Sequence, residues 1–131
     1  MFHNFPANED LLTLSGAHLS QVSFGVGNIS LDFGFSKSRV TDGSGFAKIV
    51  AMSPLKLFLA DDVFDIEIGN FSEISRLGTL LNLDIVSAVN TGKSAVQLDF
   101  GAGRLILLKD KPEGFESYHW YLPDQVNAIK K

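Results

Sequence analysis

The phrase Leu31-Asp32-Phe33-Gly34 returns as Leu98-Asp99-Phe100-Gly101, and its reading decides the fold. Around the first copy Ile29, Leu31, Phe33 and Phe35 alternate with Ser30, Asp32 and Gly34, the period of a strand with one apolar and one polar face. Around the second, Val96, Leu98 and Phe100 alternate with Gln97 and Asp99 in the same order. On this pattern Asp32 faces outward. Phe33 and Phe100 take equivalent inward positions, where each ring buries on the order of 150–250 Å².

The likeness extends upstream. Sliding residues 14–34 along 81–101 pairs Leu14 with Leu81, Ser20 with Ser87, Val22 with Val89 and Gly25 with Gly92. Ile29 meets Val96 and Leu19 meets Val86, so the apolar positions between the identities agree as well. Binary patterning makes any two amphipathic hairpins alike to a degree, but the shared phrase points to one hairpin unit used twice. The expected fold is mainly β with one or two short helices. Two antiparallel β-meander units, internally duplicated, form a sandwich or a barrel-like sheet in one domain over 1–131, with units at about 14–68 and 81–122.

Residues 1–13 are polar and irregular, with Pro6 and the pair Glu9-Asp10. Strand one runs from about Ala17 to Val26, but Ala17 and Leu19 point one way by alternation and Val22, Phe24 and Val26 the other. A bulge near Ser20-Gln21 reconciles them, and Gly27-Asn28 supplies the hairpin turn. After the loop chemistry of Thr41 to Gly45, Phe46 to Met52 reads as a returning strand ended by Pro54. Leu55–Leu59 and Val63–Ile68 form a hairpin around Ala60-Asp61-Asp62. Asn70, with Glu73 three residues on, is an N-cap signature for a short helix over about 71–77, and Phe71, Ile74 and Leu77 fall on one face of it at helical spacing. From about Leu81, Leu83, Ile85, Ser87 and Val89 alternate along a further strand. Leu105–Leu108 is a continuous apolar run, as in a strand covered on both faces. Tyr118, Trp120 and Leu122 share one face of a final strand, and 124–131 forms a short helix or a tail.

Composition excludes several classes. A chain of 131 residues, 45% hydrophobic, can build a core without staples. It has no Cys, which excludes disulfides and thiolate metal sites and favours a reducing compartment. No basic n-region or apolar h-region opens the sequence, and no apolar run approaches the ~20 residues of a membrane-spanning helix; the expected location is cytoplasmic. The net charge of −4 argues against nucleic acid, which calls for a basic stripe.

No motif carries catalysis or a cofactor. His3, His18 and His119 lack the spacing of metal ligands. The glycines at 25, 27, 43, 45, 101 and 103 form no phosphate loop between strand and helix. Asp61, Asp62, Asp65 and Glu67 are the densest acidic cluster but lack the frame of a calcium loop. They suit the charged outer face of an edge strand, which deters edge-to-edge pairing, or a rim that steers a basic protein. Glu116, Ser117 and His119 lie close together, yet Ser117 and His119 are same-face neighbours with no orienting acid between them. Glu116, Tyr118, His119 and Trp120 are therefore read as structural or binding residues.

Two β-rich halves with the apolar-Asp-Phe-Gly phrase, then Gly103-Arg104-Leu105 and a late Phe115-Glu116-Ser117-Tyr118, resemble a group of small bacterial proteins of unknown function. Such β-rich proteins are similar to the immunity proteins of bacterial toxin systems. The stretch from about Leu77 to Leu122 carries most of the likeness, and 35–54 is an insertion relative to it. The resemblance implies no catalytic residues. The expected function is a non-enzymatic protein-binding module, in the immunity-type case occluding a basic toxin domain. Asp61, Asp62, Asp65 and Glu67 form its charged rim, and Tyr118 or Trp120 its anchors. Two other readings stand beside it: a small-molecule site or enzyme at the mouth of the β structure around His119 or Glu116, and a structural homo-oligomer joined through strand edges.

Overall fold

The computed structural model describes residues 6–35, 46–91, 95–108 and 118–122. The expected Thr41–Gly45 loop, Glu116, Ser117 and the terminal stretch 124–131 lie outside them. Nine strands form two antiparallel sheets among the described residues: β1 (His18–Phe24), β2 (Ile29–Gly34), β3 (Phe46–Ala51), β4 (Leu55–Leu59), β5 (Asp62–Ile66), β6 (Ser87–Asn90), β7 (Ala95–Asp99), β8 (Gly103–Leu108) and β9 (Tyr118–Tyr121). The sheet orders are β1-β2-β3-β9 and β5-β4-β8-β7-β6. Both are open, so the arrangement is that of a sandwich and not a closed barrel.

Alternation decides which side of each strand is buried. Ile29, Leu31, Phe33, Ala47 and Ile49 from one sheet join Leu55, Leu57, Val96, Leu98, Leu105 and Leu107 from the other in a single core. Phe33 and Phe100 are both inside it, at 1% and 4% exposure. Asp32 stands on the opposite face, across from Lys48. The expected bulge is present: Leu19 pairs with Phe33 but Gln21 with Asp32, a shift of one residue. That shift keeps both Leu19 and Val22 on the core side, since an extra residue reverses the facing of every residue after it.

Four local expectations are corrected. The β1–β2 turn is not the two-residue Gly27-Asn28 but a four-residue loop closed by the Gly25 N–H to the Asn28 carbonyl at 3.1 Å. The N-terminal stretch is helical from Asn8, with α1 over Asn8–Leu11 and a 3₁₀ turn over Leu12–Leu14 that bury Leu11 and Leu14. The central helix α2 covers only Phe71–Ile74 and tightens into 3₁₀ geometry over Ser75–Leu80, passing through Gly78. Its cap is as expected, with Asn70 Oδ1 accepting the Glu73 N–H at 3.2 Å, while the Glu73 carboxylate takes the Arg76 Nε–H at 3.0 Å.

The fourth concerns residues 81–90, expected as one strand. Residues 82–85 lie beside the start of β1: the Ile85 N–H donates to the Ala17 carbonyl at 2.6 Å and the Leu19 N–H to the Leu83 carbonyl at 3.2 Å. At Val86 the chain crosses over, its N–H donating to the Asp99 carbonyl at 2.7 Å, and β6 joins the other sheet. The alternation breaks there, so Ile85 and Ala88 are the buried pair. This one extended segment links the two sheets along their side. Nor do the sheets divide along the chain halves. β4 pairs with β8 in the second sheet and carries β5 on its outer side, and β9 returns to β3 in the first.

Candidate functional site

Between the tip of the first sheet and the end of β5 lies an open cleft of about 350 Å³ lined by Phe24, Gly25, Val26, Ile68, Gly69 and Phe71. Phe24 ends β1 on the core-facing side of the strand, opposite the buried Ile29, and yet stays 49% exposed. Val26 is at the apex of the four-residue loop and fully exposed. Phe71 is the first residue of α2, where it projects outward at 63% exposure while Ile74 and Leu77 fill the core below. The two rings meet at 4.8 Å between centroids, tilted by 37°. Gly69, at φ +89°, turns the chain from β5 into α2 and so brings Phe71 back towards Phe24.

Sequence reading missed this cleft. It grouped Phe24 and Val26 with Val22 on one side of the strand and Phe71 with Ile74 and Leu77 on one face of the helix, whereas Phe24, Val26 and Phe71 are exposed. The usable signal was Gly25-Val26-Gly27-Asn28, a large aliphatic residue set inside turn chemistry, where burial is not available.

The acidic residues sit next to it. Asp61 and Asp62 occupy the tip of the β4–β5 hairpin, Asp65 lies on β5, which is the outermost strand of its sheet, and Glu67 follows just past its end. All four are exposed. Asp65 accepts the cross-strand Lys56 Nζ at 2.6 Å, an exposed pair of the kind worth roughly 0.2–1 kcal/mol. Among the described residues, Asp61, Asp62 and Glu67 make no ion pair. Glu67 is followed at once by Ile68 and Gly69, so the acidic edge runs directly into the apolar cleft, which no basic residue lines.

The aromatic strand needs correction. Tyr118 and Trp120 are 1% and 0% exposed, so neither can anchor a partner on the surface. They stand opposite Ala51 and Ile49 on the core face of β9, and the Tyr118 hydroxyl donates to a backbone carbonyl, with Leu108 O at 2.9 Å and Pro54 O at 3.2 Å in reach. A buried ring whose hydroxyl is satisfied by backbone, as at Tyr118, is structural, and Trp120 is fully buried beside it. His119 is on the other face, beside Val50, and does not line the cleft. Glu116 lies outside the described residues. No group of three or more His, Cys, Asp or Glu side chains among the described residues could hold a metal, and no described helix is long and apolar enough to cross a membrane.

No protein family, curated protein or solved structure matches the chain.

Proposed function

We propose that the protein is a non-enzymatic binding module whose partner is a basic protein, held at the Phe24–Phe71 cleft and steered there by the acidic edge of β5. The occlusion of a basic toxin domain expected from the family resemblance is one case of this reading. The observation that carries it is the cleft. Burying an aromatic or aliphatic side chain fully is worth roughly 1.5–3 kcal/mol, and here Phe24, Val26 and Phe71 leave that contribution unrealised in the free chain. Exposed apolar side chains that cluster around a concavity mark interaction surfaces. Asp61, Asp62 and Glu67 act over about 8 Å at physiological ionic strength, which favours encounter with cations and makes association salt-dependent.

The test is capture from a cell extract by the full chain and by the Phe71→Ser and Val26→Ser variants, both at exposed positions that leave the core intact. A basic protein recovered in stoichiometric amount by the wild type, lost with either variant and released by salt, is the expected result. Retention of the same protein by both variants, or recovery of the chain without any partner, would overturn the reading.

A further inference from the structure

The free edge of β5 has a property beyond its charge. Leu59 stands opposite Asp62 across the two-residue loop Ala60-Asp61. Residues flanking such a loop exchange both backbone hydrogen bonds, and bonding then alternates along the pair. Asp62, Phe64 and Ile66 therefore bond to β4, whereas the N–H and C=O of Val63 and Asp65 point out of the sheet. No backbone hydrogen bond among the described residues takes up those outward groups. Two other edges are covered in part. Residues 82–85 cover the start of β1, and Asn8 takes the N–H and C=O of Asn90 on β6.

We propose that β5 is a strand-addition site: an extended segment of the partner, with Lys or Arg at alternate positions, pairs with Val63 and Asp65 and sets an apolar side chain into the Phe24–Phe71 cleft at the strand's end. This rests on the binding reading above and specifies its geometry. Strand addition supplies affinity through main-chain bonds and specificity through alternate side chains. The side chains of Val63 and Asp65 share the outer face, with Val63 53% exposed, and the exposed Glu67 follows just past the strand's end. A neighbouring strand sets every second residue beside them, and opposite charges at directly facing positions stabilise while like charges repel. Asp65 is already paired with Lys56, so the charge that selects a cationic segment over a second copy of this chain is that of Asp61, Asp62 and Glu67, which a second copy would repeat and repel. The charges that protect the edge from self-pairing become the means of choosing a partner.

The test uses a library of random dodecapeptides selected on the full chain, followed by titration of an enriched peptide against wild type, Val63→Pro and Phe71→Ser. Proline is tolerated on an edge where its N–H faces away from the sheet, so Val63→Pro removes an outward donor and blocks pairing. The expected result is a consensus with cations at every second position and an apolar residue towards one end. Its affinity falls about tenfold or more in both variants, equivalent to about 1.4 kcal/mol. Should Val63→Pro fail to fold, slowed amide exchange at Val63 and Asp65 of the wild type on peptide addition gives the same answer. Binding lost in Phe71→Ser but unchanged in Val63→Pro, or amides that stay unprotected, would overturn strand addition and leave the cleft reading standing. An absent consensus, or one without cations, would overturn both.

Discussion

Asn8 stands in for a strand at Asn90. The Asn90 N–H donates to Asn8 Oδ1 at 2.6 Å, and Asn8 Nδ2 donates to the Asn90 carbonyl at 3.4 Å. The Asn90 side chain completes the clamp by donating to the Pro6 carbonyl at 2.9 Å. A side-chain amide has one donor and one acceptor group, as a peptide unit does, so one residue of the N-terminal segment closes an edge position of β6.

Asn8→Ala removes both bonds. With each worth roughly 0.5–1.5 kcal/mol net at a partly solvated site, a loss of about 1–2 kcal/mol is expected in urea unfolding. Size-exclusion chromatography should also show more self-association, because the uncovered edge can pair with another copy. A variant as stable and as monomeric as the wild type would show that the clamp is incidental.

Gly103 and Gly78 respond to alanine in opposite ways. A Cβ at Gly103 would lie 2.8 Å from Leu59 Cδ2, 3.1 Å from the buried Leu80 Cδ2 and 3.2 Å from the Phe58 carbonyl oxygen. Overpacking of this kind typically costs about 1–3 kcal/mol. At Gly78 a Cβ meets nothing within 4 Å, and removing a glycine's backbone freedom in a helical turn gains about 0.4–1 kcal/mol. The measurement is the denaturant midpoint of Gly103→Ala and Gly78→Ala against the wild type, at unchanged slope.

Ala60 carries φ +53° in the β4–β5 turn. A left-handed backbone costs a residue with a Cβ roughly 1 kcal/mol, a cost glycine avoids. Ala60→Gly is therefore expected to raise stability by up to about 1 kcal/mol, less the extra freedom glycine gives the unfolded chain. A fall in the thermal midpoint would contradict that backbone geometry.

Phe33→Ala and Phe100→Ala test the repeated phrase. Both rings are buried in the shared core, so each truncation should cost about 3–5 kcal/mol. If one were tolerated at less than about 1 kcal/mol, its ring would not occupy the interior.

The two copies of the phrase also show where reading by analogy ends. Gly101 lies at φ +83° in the β7–β8 turn, and its N–H is held by Asp99 Oδ1 at 2.8 Å. Gly34 continues β2 as a strand, and a Cβ there would meet the His18 ring at 3.1 Å. Asp32, the counterpart of Asp99, instead faces Lys48 at 3.8 Å. Identical residues meet different demands because the chain after them goes to different places.

What the sequence determined by itself is local: the strand alternation, the Ser20-Gln21 bulge, the Asn70 cap, the β4–β5 hairpin and the outward set of its acids. Each depends on neighbours a few residues away, where side-chain period and turn chemistry act directly. Tertiary structure decided that β4 and β5 join β8, that β9 returns to β3, and that 82–90 passes from one sheet to the other. It also decided that Tyr118 and Trp120 are interior while Phe24, Val26 and Phe71 line an open cleft. An apolar residue at the end of a strand or helix is buried only if another element reaches far enough to cover it, and that reach is set by the assembled sheets.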